Sequence, residues 1–289
     1  MAKQETTVVP AAAEGADTLK RSFACLLPPT WKSEVDRWLA DDVPTFDVGG
    51  FVVGDSMVTA RLLGKSEGIV AGVPFVDAVF ERLGCSIEWH VAEGDVVKPV
   101  HHIATVMGPC CKVLLGERTA LNILARASGL ATRCTKAAAL KRECGWAGEV
   151  VGTRKVTPGF RLVEKYALLV GGCGTHRMDL SHMVMLKDNH VWATGSIDAA
   201  VKAARGACGF ASKIEVECRS LSEAREACHA GCDVCMLDNY TPARLVEDAA
   251  AIKREYPHVT IEVSGGLTPE NAGPFMLPNV DVVSMGCLT

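Results

Sequence analysis

Six short strings in the second half of the sequence combine cations, carboxylates and glycines in ways suited to binding anions: Thr153-Arg154-Lys155, Lys187-Asp188-Asn189, Glu215 with Glu217, Asp238-Asn239, Ser264-Gly265-Gly266, and Gly286. Arg118 in GERTALN and the His176-Arg177 pair in GCGTHRMD extend the set. Guanidinium groups grip carboxylates through two parallel N–H donors, and lysine supplies compact positive charge. Glu217 and Asp238 close apolar runs, where an unpaired carboxylate is costly, so they call for a cation or sugar hydroxyls. Glycines let backbone N–H groups approach phosphate oxygens. Two ligands are therefore expected: a polyanion with a phosphate, hydroxyls and a metal ion, and a small molecule carrying several carboxylates. Any one string alone reads as a solvated loop; their joint placement argues against that.

The placement follows from the elements that carry them. From Gly148 onward short apolar runs recur every 20 to 35 residues: GEVVG, MVML, KIEVEC, DVCML, VTIEV and DVVSM. Between several of them lie helical stretches, SIDAAVKAARGA, SLSEAREACHAG and TPARLVEDAAAIKREY, opened by Ser or Thr caps. This is the rhythm of βα units, and no Gly-x-Gly-x-x-Gly follows the first strand, so a parallel α/β barrel is expected rather than a dinucleotide-binding sheet. Barrel active sites form at the carboxyl ends of the strands, where these strings fall. Ser264-Gly265-Gly266 and Gly286 fit a phosphate cradle on the last two strands, with a helix from TPENA expected to aim its positive end there.

The preceding region has a different pattern. MVTARLL, CSIEWHV and HHIATVM alternate, and PFVDAVFERLG has helical periodicity, predicting a small antiparallel sheet with helices. AEGDVVKPVHHIATV has the turn-and-strand rhythm of lipoyl or biotinyl carriers, but Lys98 lies beyond the Gly94-Asp95 turn, so a turn joining two strands is preferred. A linking helix is predicted over residues 116–144, with Ala120, Leu121, Leu124 and Ala127 on one face. The expected organisation is a mobile tail over residues 1–20, an α+β sandwich domain over 21–117 and an α/β barrel over 118–289.

Composition narrows the class. The 289 residues are 48% hydrophobic, enough for a substantial core. Thirty Lys and Arg against 34 Asp and Glu give a net charge of −4, with no global attraction to nucleic acid or an anionic membrane. The first 25 residues hold no unbroken apolar stretch, which argues against a secretory signal. The 13 scattered cysteines are read as reduced, mostly buried thiols of a cytoplasmic protein, and Cys232-x-x-Cys235, lacking a second Cys/His pair, as core packing rather than a zinc site. Cys110-Cys111 is the other close pair.

The strings GTRKVTPGFRLVEKYALLVGG, GTHRMDLSHMVMLKDNH, IEVEC, LDN, VSGG and SMG together resemble the quinolinate phosphoribosyltransferases, over nearly everything from about Leu26 to the end. The resemblance implies an α/β sandwich followed by an incomplete, TIM-like α/β barrel, assembled as dimers or hexamers in which one subunit's sandwich covers another's barrel mouth. It implies that Arg154, His176 and Arg177 hold quinolinate, with Lys155 and Lys187 nearby and Arg118 contributed by the neighbouring subunit. Phosphoribosyl pyrophosphate would use Glu217 and Asp238 around the ribose and Mg²⁺, reached directly or through water, with Lys155 and Lys187 also in reach. Ser264, Gly265, Gly266 and Gly286 would take the 5′-phosphate. Members of this family usually continue past the last strand with a segment that packs back on the first domain; with Thr289 three residues after Gly286, that segment is expected to be missing.

The implied chemistry is phosphoribosyl transfer to the pyridine nitrogen, then loss of the adjacent carboxylate from the pyridinium, yielding nicotinate mononucleotide, with Lys155, Lys187, Glu217 and Asp238 as the catalytic set and Lys155 as the candidate for assisting decarboxylation. Three rivals remain: a nicotinate phosphoribosyltransferase, which binds one carboxylate, a barrel aldolase using Lys155 or Lys187 as a Schiff base, and a non-catalytic metabolite sensor.

Overall fold

A computed structural model describes residues 22–289, so the tail expected over residues 1–20 lies outside the described part. After a 3-10 turn over Phe23–Leu26, the described chain runs α1 (Lys32–Asp42), α2 (Val48–Val53), β1 (Met57–Gly64), β2 (Gly68–Ile69), α3 (Val73–Arg82), β3 (Ser86–Trp89), β4 (Val96–Val97) and β5 (His101–Pro109). Strands β1, β5 and β3 form an antiparallel sheet in that order, and β2 pairs antiparallel with β4, which follows the turn at Gly94. Strand β1 alternates exposed and half-buried residues, the mark of a sheet with one packed face. That face meets α3, whose Phe75, Val76, Val79 and Phe80 are buried.

Helix α4 (Cys110–Glu143) follows directly from β5. It starts six residues before the predicted Gly116, because Pro109 turns the chain out of the strand and Gly116, a breaker by sequence, sits inside the helix. Gly116 is there for close approach: a Cβ on it would lie 2.7 Å from Leu83 Cδ1 and 3.2 Å from Phe80. Ala120, Leu124 and Ala127 are buried as the periodicity predicts, while Leu121 is half-buried. The first half of α4 packs into the core of the α+β unit and Cys134 and Ala137 into that of the barrel, so the helix is common to both.

The second unit runs β6 (Glu149–Val151), α5 (Arg161–Val170), β7 (Val184–Leu186), α6 (Asp188–Thr194), α7 (Ile197–Cys208), β8 (Ile214–Cys218), α8 (Leu221–His229), β9 (Val234–Asp238), α9 (Pro242–Glu255), β10 (Thr260–Ser264) and β11 (Val282–Ser284). All six predicted strands are present, and Ser196, Ser220 and Thr241 cap α7, α8 and α9 through their side chains. The parallel sheet is ordered β6-β11-β10-β9-β8-β7. Strand β6 joins β11 but not β7, so this is an incomplete α/β barrel preceded by an α+β domain, as expected.

One element differs. TPENA forms no helix; it makes a turn, followed by a single 3-10 turn over Gly273–Phe275. Pro274 has no N–H and disfavours helical backbone at the residue before it, which leaves too short a segment to propagate a helix. Among the described residues no helix is long and apolar enough to cross a membrane.

Candidate active site in the barrel mouth

The sequence Ile214-Glu215-Val216-Glu217-Cys218 decides the chemistry of the barrel interior. Ile214, Val216 and Cys218 are buried in the layer between sheet and helices, so the alternation of a strand turns Glu215 and Glu217 inward. The register carries this face around the sheet: Met185 is opposite Glu215, Glu217 opposite Met236, Met236 opposite Glu262, and Asp238 opposite Ser264. Barrel interiors are ordinarily filled with Val, Ile and Leu. Here carboxylates and methionines leave a cavity of about 640 Å³ open at the strand ends.

The opening between β6 and β7 supplies two further residues. Beyond α5 the chain runs along the free edge of β6, where Gly174 N–H donates to Val150 O at 2.8 Å and Gly152 N–H donates to Gly174 O at 3.0 Å. This seam segment carries His176 and Arg177 to the cavity. His176 adopts a left-handed backbone (φ 55°), and its Nδ1 accepts the Arg177 N–H at 2.7 Å. The neutral ring therefore carries its proton on Nε2, which donates to Glu262 Oε2 at 3.0 Å and lies 3.8 Å from Glu215. His176, Glu215 and Glu262 each present one ligand atom within 4.8 Å of the others, so a metal ion could reach all three by displacing the Nε2 proton. Both oxygens of Glu215 are buried without a hydrogen-bond partner among the described residues, and burial and then Glu262 push its carboxyl well above the usual range.

Three of the cations, Arg154, Lys155 and Arg177, converge without an ion pair among the described residues. Arg154 and Lys155 both line the cavity, and a Cβ on Gly286 would lie 3.6 Å from Lys155 Nζ. Arg177 is buried, donating to Met183 O at 3.2 Å. Burial, and then the like charge of Arg154, lower its pKa. Two guanidiniums close enough to repel call for an anion between them. Lys187, at the start of α6, pairs with Glu217. Asp238 is pushed up by burial and then by Glu217, so these two carboxylates, on adjacent strands and facing the same way, are the oxygen donors suited to a hard cation such as Mg²⁺. Arg219 and Asp188 pair across the rim at 2.8 Å.

Gly265 (φ 112°) and Gly266 (φ 61°) turn the chain sharply after β10. A Cβ on Gly265 would lie 2.4 Å from Asn239 Oδ1 and 2.8 Å from Asn239 N, so only glycine fits against the end of β9. The absent TPENA helix alters the cradle: Asn271 Oδ1 takes the Thr268 N–H at 2.7 Å, leaving the amides of the Gly265-Gly266 turn, rather than a helix end, to meet an anion.

Of the sequence-predicted residues, Arg154, Lys155, His176, Arg177, Lys187, Glu217, Asp238, Ser264, Gly265, Gly266 and Gly286 line this one cavity. Arg118 does not; it is exposed on α4. The sequence reading missed Glu262, Met185 and Thr268, and it singled out Asn239 beside Asp238 without giving it a role. Glu262 had a signal, since Ile-Glu-Val in VTIEV repeats the alternation of IEVEC.

Comparison with known proteins completes the picture. Family models described as the N-terminal and C-terminal domains of quinolinate phosphoribosyl transferase match residues 43–128 and 130–289. The chain is 50% identical over 268 residues to the nicotinate-nucleotide pyrophosphorylase (carboxylating) of Homo sapiens, covering 92% of this chain and 90% of that one. It is 45% identical over 280 residues to the protein of the same name from Dictyostelium discoideum, covering 91% and 93%. The solved nicotinate-nucleotide pyrophosphorylase of Francisella tularensis is similar at TM-score 0.80 and 30% identity, covering 89% and 91%. A chain so matched along both of its units, with the fold and cavity described above, belongs to the quinolinate phosphoribosyl transferase family.

Proposed function

We propose that this chain transfers the phosphoribosyl group of phosphoribosyl pyrophosphate to quinolinate with decarboxylation, giving nicotinate mononucleotide, CO₂ and pyrophosphate, a step of NAD biosynthesis. The observation that carries this reading is one cavity in which Arg154, Lys155 and Arg177, without carboxylate partners among the described residues, share space with the Gly265-Gly266 turn and Gly286. A small polycarboxylate and a phosphate are the ligands such a wall accepts.

In this reading Arg154 and Arg177 hold the quinolinate carboxylates, and His176, its two ring nitrogens engaged by Glu262 and the Arg177 amide, lies against the ligand beside them, with Lys155 and Lys187 near and Arg118 reaching the same ligand from a neighbouring subunit. The pyridine nitrogen attacks the anomeric carbon as its bond to pyrophosphate breaks. Glu217 and Asp238 favour the positive charge developing on the ribose, and Lys155, lying over Gly286, and Lys187 meet the leaving group. The ring nitrogen is then cationic, so the adjacent carboxylate leaves as CO₂ and its electron pair stays on the ring carbon, which takes a proton from water. Lys155 assists this step. Glu217 and Asp238 are the residues that would hold Mg²⁺, directly or through water; bound there, the ion supplies charge neutralisation for pyrophosphate.

Division into an α+β unit over residues 21–117 and a barrel over 118–289 belongs to the same proposal, with α4 common to both. So does a homodimer as the smallest working assembly, or a hexamer built from three such dimers. Supporting it are the exposed position of Arg118 and the apolar surface of Phe46 and α2, where Phe51 is 86% exposed. Free thiols at all 13 cysteines favour a cytoplasmic setting. The test is an assay with quinolinate, phosphoribosyl pyrophosphate and Mg²⁺, omitting each in turn: CO₂ and pyrophosphate released in equal amounts support the reading. Pyrophosphate release with nicotinate but not quinolinate would overturn it.

A further inference from the structure

Lys165 on α5 is 1% exposed, yet no carboxylate neutralises it among the described residues. Its ammonium donates instead to three backbone carbonyls: Thr153 O at 2.8 Å, Arg177 O at 3.2 Å, and Thr175 O. All three N–H donors are thereby used. Thr153 immediately precedes Arg154, while Thr175 and Arg177 flank His176 on the seam segment. The same ammonium thus ties together the two stretches of chain that carry the cavity's guanidiniums. Its neighbour Glu164, also fully buried, secures the far end of the first stretch, accepting from Thr157 N–H at 2.9 Å and Thr157 Oγ1 at 2.8 Å while pairing with Arg126 of α4.

A buried cation without a counter-charge is costly, and packing alone would be served by a methionine. The carbonyls it holds could otherwise relax toward water or toward other amides. What Lys165 adds to the edge contacts of Gly174 is a fixed distance between the two segments.

We propose that Lys165 is a positioning residue whose ammonium sets the spacing of Arg154 and Arg177, and with it the preference of the site for two adjacent carboxylates. The inference rests on the reading that these arginines hold the carboxylates of quinolinate. Burial, and then Arg161 on its own helix and Arg177 on the seam, push the Lys165 ammonium down to about 8. Those two facing groups are guanidiniums and keep their charge across the alkaline range. A neutral amine has two N–H donors for three carbonyls and no positive charge to strengthen them, so at least one carbonyl loses its partner and the tie between the two segments weakens as Lys165 loses its proton.

The experiment is calorimetric binding to the full chain of quinolinate, phthalate, nicotinate and phosphoribosyl pyrophosphate, each alone, for wild type and Lys165→Met. The variant is expected to weaken quinolinate and phthalate by about 30-fold, the scale of a lost charge-assisted hydrogen bond, and nicotinate and phosphoribosyl pyrophosphate by less than about 3-fold. Equal losses for all four ligands, or an unchanged preference for phthalate over nicotinate, overturn the proposal. Should Lys165→Met fail to fold, wild type decides: quinolinate affinity is expected to fall about 10-fold between about pH 7 and 9.5, through the proton loss described above, with phosphoribosyl pyrophosphate affinity steady. A flat quinolinate profile overturns it. Wild type binding neither dicarboxylate at neutral pH would overturn the reading of the site itself, a result that needs no variant.

Discussion

His176 and Glu262, 86 positions apart in sequence, meet across the barrel interior, with the imidazole Nε2 donating to Glu262 Oε2 at 3.0 Å. The Arg177 amide holds the other ring nitrogen, so the imidazole is fixed at both ends and its tautomer is set. A ring held this way presents one edge to the cavity beside Arg177.

Glu262→Gln removes the charge from that contact while keeping its shape. A hydrogen bond to a charged group contributes about 1.5–3 kcal/mol, and only part of it reaches the ligand, so the quinolinate KM should rise about 10-fold and the phosphoribosyl pyrophosphate KM by less than about 3-fold. Stability should not fall, because the substitution removes a carboxylate facing the buried Glu215. Steady-state kinetics with each substrate varied, together with thermal unfolding, check both parts.

Arg154→Ala and Arg177→Ala should each weaken quinolinate by about 10- to 100-fold, the range of one lost charge-assisted contact, with little effect on phosphoribosyl pyrophosphate. Asp238→Ala should show the opposite bias. Competitive binding of each ligand is the measurement, and equal losses for both ligands in the arginine variants would sink the assignment of roles.

Gly265→Ala places a methyl 2.8 Å from the Asn239 amide nitrogen at a backbone angle of +112°. The strain is about 1–3 kcal/mol, and the turn must shift to relieve it. A lower unfolding midpoint is expected together with a raised KM for phosphoribosyl pyrophosphate; a normal KM in a destabilised variant would separate the turn from phosphate binding.

The lowered pKa of Lys165 fixes the sign of a pH effect on stability. Its value is about 8 when folded against 10.5 for the free side chain, so between these the unfolded chain holds more protons and stability rises with pH. Below pH 8 both states are protonated and the cost of the buried charge is felt in full. Lys165→Met lacks this term, so its stability relative to wild type should fall from pH 8 to 10.5, whatever its sign at neutral pH, as read from urea unfolding at a series of pH values. A constant difference would contradict the shift.

Much of this molecule was legible in local pattern. The apolar runs and capped helices from Gly148 onward announced a βα repeat, because strand and helix periodicities are properties of neighbouring residues. The strings after each run announced a site, because a parallel barrel brings all its strand ends to one mouth. Boundaries were less legible where packing overrode a local signal. Gly116 lies within α4 because Leu83 and Phe80 demand a close approach, and TPENA stayed a turn because Pro274 follows it.

By itself, then, the sequence determined the fold class, the chemical character of the strand ends and, through its motifs, the family. The tertiary structure alone decided that Glu262 reaches His176, that Arg118 stays outside the cavity, and that Lys165 spans Thr153, Thr175 and Arg177. The reason is physical. Periodicity says which face a side chain takes, but the partner it meets there depends on strand register and on a seam segment that follows no repeat.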